Sequence, residues 1–327
     1  MIVRMKRGWE LPESAATPEH VFFNRRSFMT GAGGIAAGAA ALPLLSSAGI
    51  RAARADDTAD PSVGLYPVKR NELYKLDRPV TPENLSTNYN NYYEFNSTKD
   101  VVAQAQSLPI RPWTVTVDGM VERPQQFAID DLLKQMPLEE RLYRHRCVET
   151  WSMAVPWSGF PLKALMSLVQ PSTGAKFVRF ESFQNPDVAE GQQADWYPWP
   201  YVEGLTMEEA ANELTFMVTG MYGKPAPKQN GAPLRLATPW KYGFKSIKGI
   251  QKISFVAERP VGLWEAIQAS EYGFWANVTP DVPHPRWSQA MEKPLGSDEP
   301  VPSQIYNGYG EYVAALYSGV QGEELYK

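Results

Sequence analysis

Tyr143-Arg144-His145-Arg146-Cys147-Val148-Glu149-Thr150-Trp151 leads directly into Ser152-Met153-Ala154-Val155-Pro156-Trp157-Ser158-Gly159-Phe160-Pro161-Leu162. Leu142–Val148 reads as a strand with Cys147 at its far end. Cys147 is the only cysteine in 327 residues, so no internal disulfide can form. A lone cysteine among aromatics is commonly an inert core residue. Arg144, Arg146 and Glu149 argue for the other reading, because an inert thiol needs no such charge nearby. Two close cations would favour thiolate, the form that binds metal. On these residues alone both readings stand.

Working outward, Trp113–Val117 alternates and runs into Asp118-Gly119, a strand entering a hairpin turn. Asp130 is placed to cap a short helix over Asp131–Met136. Phe160–Val169 has helical spacing, and Lys176–Phe183 reads as a strand. Thr206-Met207-Glu208-Glu209 is a capping box opening a helix to about Glu213. Leu214–Thr219, Pro233–Ala237 and Gln251–Ala257 are further strands. Residues 56–100 are polar and turn-rich, an extended arm or a set of loops. Short strands outnumber short helices without regular alternation, which predicts a mixed, strand-rich α+β domain over a doubly wound sheet. No internal linker divides 56–327, so a single catalytic domain is expected there.

Residues 1–55 read differently. Arg25-Arg26 precedes an uncharged, Gly-, Ala- and Leu-rich run from Met29 to Ile50, and Ala53-Arg54-Ala55 is a small-x-small pattern before Asp56-Asp57. These features predict a twin-arginine export signal, hence passage through the twin-arginine translocase to the periplasm. The alternative is a transmembrane anchor, disfavoured by the weak transfer energy of Gly and Ala. That route carries folded proteins, often with a cofactor already inserted. The chain's net charge of −4 conceals a split: residues 1–55 hold 7 Lys/Arg and 3 Asp/Glu, leaving 25 and 33 for the remainder. An acidic body speaks against a nucleic-acid partner.

Several chemistries are excluded. Of three histidines, His20 lies in the removable segment, and His145 and His284 have no HExxH spacing for a zinc hydrolase. There is no haem-attachment motif, iron–sulfur cysteine set, GxGxxG or GxSxG. Arg235, Lys241, Lys245 and Lys248 place four cations in fourteen residues, and Gly231, Gly243 and Gly249 would let backbone amides approach closely. A single phosphate group needs such an environment, although a solvated basic loop would read the same way.

The Cys147 stretch resembles the molybdenum-binding core of the sulfite oxidase family, most closely its methionine-sulfoxide-reducing branch. The resemblance extends over essentially the whole mature chain. It includes Tyr89-Asn90-Asn91-Tyr92-Tyr93-Glu94-Phe95, Gln229–Arg235, Pro239–Lys245 and His284-Pro285-Arg286-Trp287-Ser288-Gln289. It implies a molybdenum held by a pterin dithiolene without an appended nucleotide, with Cys147 as the protein ligand to the metal. Soft thiolate suits such a centre. Asn90, Tyr93, Glu94, Asn230, Arg235, Ser246, Ile247 and Lys248 match cofactor-contacting positions. So does Ser182, where the family commonly has threonine. Asn91 and Glu149 match positions beside the metal, and Glu149 would serve as proton donor if burial raises its pKa.

The implied reaction is reduction of methionine sulfoxide, free or in oxidised periplasmic proteins, with electrons from a haem-bearing membrane subunit. Two alternatives stay open. One is another molybdoenzyme of the same family acting on sulfite or on other S- or N-oxides. The chain's end at Lys327 leaves no room for the additional dimerisation sandwich of sulfite oxidases, which disfavours sulfite. The other is a non-enzymatic periplasmic binding protein that uses its aromatics as a ligand platform.

Overall fold

Alternating Thr and Val give β1 (Thr114–Gly119) one buried valine face, and β2 (Gln125–Ala128) pairs with it antiparallel. In the computed structural model residues 60–327 are described, and the export signal expected at 1–55 lies outside them. β3 (Glu139–Arg146) and β4 (Trp151–Pro161) form a long antiparallel hairpin. β5 (Phe177–Ser182) pairs with β6 (Val202–Thr206), and β7 (Phe216–Met221) with both β8 (Lys224–Pro225) and β9 (Arg235–Ala237). β10 (Ile250–Val256), β11 (Met291–Pro294) and β12 (Val301–Pro302) follow.

The strands form two sheets. One has the order β2-β1-β10-β5-β6, with β10 parallel to β1. The other has seven strands along β12-β11-β4-β7-β8, with β3 added to β4 and β9 to β7. The helices are short. The expectation of a mixed, strand-rich α+β fold therefore holds. No helix among the described residues is long and apolar enough to cross a membrane.

β4 is buried along almost its entire length. A strand covered on both faces shows no apolar–polar alternation, so it is not legible as a strand from its pattern. The helix expected from Phe160 begins at Leu162, because Phe160 and Pro161 are still paired with Met217 and Phe216 of β7. Asp130 does not cap its helix, which runs Ile129–Gln135. Its carboxylate instead accepts from Arg111 Nε at 2.9 Å. The Thr206 capping box forms in both directions, at 3.1 and 3.0 Å. Its helix stops at Ala211, where Asn212 turns the chain and accepts from Leu214 N at 2.9 Å.

Two apolar clusters cover the seven-stranded sheet. Phe160 and Met217 pack with Val115, Phe180, Ile253 and the Leu162–Val169 helix of the first cluster. Val155, Trp157 and Val218 pack with Trp240, Tyr309 and Val313 in the second, which also contains Cys147. Trp264 packs against both.

Candidate active site

Cys147 follows β3 directly and starts the turn into β4. Cys147 N donates to Trp151 O at 2.9 Å, and Thr150 N donates to Cys147 O at 3.0 Å. The turn closes by putting Thr150 at φ 78°, a conformation that a β-branched residue seldom adopts. Thr150 O is held in place by Lys293 N at 2.8 Å. A strained position so secured is a common feature of functional loops.

The thiol is buried on the wall of a cavity of about 410 Å³. Burial, followed by the Glu149 charge, pushes its pKa up to about 12 in this arrangement. Of the arginines expected to favour thiolate, Arg146 lowers the thiol's pKa through its charge, but by less than burial raises it. Residues 144 and 146 point to the opposite face of β3 from residue 145. Arg144 is tied to Asp77 and to Gln304 Oε1, the latter at 2.7 Å. Arg146 reaches Glu292 at 3.3 Å and Gln289 Oε1 at 2.8 Å. Asn91 Nδ2 and Glu149 N each lie 3.5 Å from Cys147 Sγ.

Glu149 Oε2 sits 3.7 Å from the sulfur. It also accepts from Asn91 Nδ2 at 3.1 Å and Trp151 Nε1 at 3.0 Å, and pairs with Lys99 Nζ at 2.6 Å. Burial alone pushes this carboxyl up, but these three donors and the Lys99 charge outweigh it and hold the pKa below its ordinary value. The raised pKa that a resting proton donor would need is absent, and Glu149 is a carboxylate here. Lys99 had no signal in the sequence.

A second wall of the cavity is cationic. Arg235, on β9, is buried, and its guanidinium donates to Asn230 O at 2.9 Å and lies 4.9 Å over the Trp157 ring. Among the described residues its other hydrogen-bond partners are also backbone carbonyls. Burial lowers its pKa to about 10, so it remains a full cation at neutral pH. Lys248 Nζ donates to Asn91 O at 2.7 Å. Burial and Arg235 depress its pKa, while burial raises that of Glu94 across the cavity.

Of the four clustered cations, Lys241 and Lys245 face elsewhere. Lys241 pairs with Glu209 at 2.5 Å and Lys245 with Glu203 at 2.6 Å, both in the interior. The glycines also act differently from expectation, by making room for side chains. At Gly231, with φ 100°, a Cβ would sit 2.8 Å from the Lys248 side chain. At Gly243 a Cβ would sit 2.6 Å from His145 Nε2.

The cavity wall brings together Asn90, Asn91, Tyr93, Glu94, Cys147 and Glu149 with Arg235, Ser246, Ile247 and Lys248. Ser182 and Asn230 stand behind it. Asn230 Nδ2 donates to Asn90 Oδ1 at 3.0 Å, and Ser182 Oγ accepts from Tyr201 N at 3.1 Å. His145 is an additional wall residue, and burial pushes its pKa well below the ordinary histidine value, leaving it neutral. Its spacing of two from Cys147 was a usable signal. Trp264, Tyr272 and Trp287 add aromatic rings to the lining, of which only Trp287 falls in a sequence motif.

Comparison with known proteins gives this geometry a context. The family described as the oxidoreductase molybdopterin binding domain matches residues 102–264. The protein-methionine-sulfoxide reductase catalytic subunit MsrP of Pseudomonas syringae pv. tomato is 44% identical over 333 residues, covering 98% of each chain. The chain belongs to this molybdopterin-binding oxidoreductase family. It is therefore an enzyme with a molybdenum cofactor, and the reading as a binding platform is set aside. Among solved structures, the sulfane dehydrogenase SoxCD of Paracoccus pantotrophus is 14% identical. That similarity covers 65% of this chain and 51% of that one at a TM-score of 0.44.

The residues of the cavity fit such a cofactor. A buried thiol offers a soft ligand on one wall. A buried guanidinium without a carboxylate partner faces the same space, and burying an unpaired cation is costly unless an anion meets it. Asn91 Oδ1, also on this wall, is buried with no hydrogen-bond partner among the described residues.

Proposed function

We propose that this enzyme reduces methionine sulfoxide, free and within oxidised proteins, to methionine in the periplasm. The observation that carries the reading is the cavity itself. Cys147 Sγ and the Glu149 carboxylate stand 3.7 Å apart on one wall, with Arg235 and Lys248 on another. The near full-length similarity to a methionine sulfoxide reductase subunit supports it. Two protons and two electrons convert the sulfoxide to the thioether and water. The bound molybdenum–pterin group supplies the two-electron chemistry.

The chain's own residues bind and orient. Cys147 is the metal's protein ligand, and Arg235 with Ser246-Ile247-Lys248 receives the cofactor's phosphate. Asn90, Tyr93, Glu94, Ser182 and Asn230 frame the pterin. A cavity of about 410 Å³ suits a pterin with no appended nucleotide. Asn91 is fixed by its 3.1 Å bond to Glu149 and presents its amide beside the sulfur ligand. Glu149 and Lys99, in contact at 2.6 Å and both partly exposed, give a proton route from solvent to the cavity wall beside the sulfur. Tyr93, Trp264, Tyr272 and Trp287 exclude water and offer ring contacts to a sulfur-bearing side chain.

The Arg25-Arg26 signal supports folded export by the twin-arginine translocase, and the family resemblance supports delivery of electrons by a haem-bearing membrane subunit. Metal analysis of the protein from molybdate-replete cells, together with turnover using an artificial reductant, tests the reading. The expected result is molybdenum near one per chain and methionine sulfoxide reduction, with both lost in Cys147→Ser. Turnover of other S- or N-oxides but not methionine sulfoxide would place the enzyme in another branch.

A further inference from the structure

Trp196 is 71% exposed, more than any other tryptophan among the described residues. It is not isolated. Its ring lies 5.9 Å from Tyr197, and Tyr197 lies 6.4 Å from both Tyr93 and Trp264. Tyr93 and Trp264 are 4.8 Å apart, edge to face, and both line the cavity that holds Cys147. A continuous run of rings therefore leads from the cavity wall to open solvent. Trp199 supports it from the side, 5.2 Å from Tyr197.

The segment carrying these rings is anchored to the chain that follows β5. Gln192 is buried, donates to Phe183 O at 2.8 Å, and accepts from Asn185 N at 2.6 Å. Trp196 is thus presented on a built ledge, although exposing a large aromatic to water is unfavourable. The ledge is also acidic. Asp187, Glu190 and Asp195 are exposed around it, and no Lys or Arg occurs between residues 180 and 223.

We infer that the ledge from Tyr93 to Trp196 is the docking surface for an extended polypeptide segment flanking a methionine sulfoxide, of neutral or basic sequence. The inference rests on the proposed reaction and names the substrate class it serves. A methionine side chain reaching Cys147 must leave its backbone at the cavity mouth, so neighbouring residues run along the rim. The ring path from Tyr93 to Trp196 covers roughly 12 Å, the length of about four extended residues. Aromatic rings favour apolar and sulfur-containing side chains without demanding one sequence. Three exposed carboxylates, none in an ion pair among the described residues and all in a segment with no lysine or arginine of its own, favour lysine- and arginine-bearing segments. A free amino acid fills the cavity without touching Trp196.

The test compares Trp196→Ala with wild-type holoenzyme on two substrates, free methionine sulfoxide and an unstructured synthetic peptide in which glycine and lysine residues flank one methionine sulfoxide. The expected result is a loss of about tenfold in kcat/KM for the peptide, carried by KM, with free methionine sulfoxide unchanged. Trp196→Phe should keep most of the peptide activity. The Kd of the fluorescently labelled peptide, read by anisotropy, should weaken about tenfold in step. Unchanged peptide kinetics and Kd, or equal losses on both substrates, would overturn the inference. Wild-type protein that binds the peptide through Trp196 but reduces neither substrate would sustain the ledge and sink the proposed reaction.

Discussion

Lys241 and Lys245 lie in the same short stretch as Arg235 and Lys248, and all four are cations with little or no solvent contact, yet the two pairs have opposite fates. Lys241 and Lys245 are each met by a carboxylate from a different element, Glu209 from the Met207–Ala211 helix and Glu203 from β6. Arg235 meets only carbonyls and the face of Trp157. Lys248 donates to a backbone carbonyl, and the carboxyl that acts on its charge is that of Glu94, whose own pKa is raised by burial. The first pair is neutralised inside the fold and ties its segment to β6 and the Met207–Ala211 helix. The second leaves positive charge on a cavity wall, where an anionic group can complete it. Adjacency in sequence says that cations are present, and the arrival of a partner from elsewhere decides what they do.

The contrast can be broken most severely at Arg235. Arg235→Met should retain the fold and lower molybdenum content by roughly 10–100-fold, from losing charge-assisted hydrogen bonds of ~1.5–3 kcal/mol, with Arg235→Lys intermediate. Metal content per chain beside a far-ultraviolet spectrum reads this directly. Lys241→Met should do the reverse, keeping cofactor specificity but losing ~3 kcal/mol of stability by leaving Glu209 buried without its cation, seen as a lower urea midpoint.

The same site gives a pH signature. Burial lowers the Lys241 pKa to about 8, below the value of about 10.4 for unfolded lysine. Between these values the unfolded chain binds more protons, so this group's contribution to stability rises with pH from about 8 to about 10.4. The difference between wild type and Lys241→Met, followed by denaturation from pH 7.5 to 10, should therefore grow in favour of wild type. A flat difference would contradict the burial account. The smallest effect is expected at Gly231→Ala, about 1 kcal/mol from its positive φ, with weaker cofactor retention because the new methyl meets Lys248.

Much of the fold was legible where burial is one-sided. β1 alternates because one face meets solvent, and the Thr206–Glu209 box is a local hydrogen-bonding device that needs no distant partner. β4 was not legible, since covering both faces erases the period, and the helix after it was started two residues early. In the site, the sequence supplied Cys147 and the residues around it by resemblance. It did not supply Lys99, whose 2.6 Å contact fixes the charge of Glu149 from 50 positions away in the chain. The condition set for Glu149 as a resting proton donor, a pKa raised by burial, is not met because its donors outweigh burial.

What the sequence by itself determined is therefore local or compositional. It named the sole thiol, the Thr206 cap, the alternating strands, the strand-rich class and the inventory of cations. Only the tertiary structure decided that His145 and the turn residue Cys147 line the cavity while the Arg144 and Arg146 side chains pair elsewhere. It also decided which cations are spent on buried carboxylates, and that Glu149 is held as an anion. The physical reason is range: caps and strand periodicity depend on neighbours within a few residues, whereas charge state and availability depend on desolvation and on partners delivered by other strands and loops.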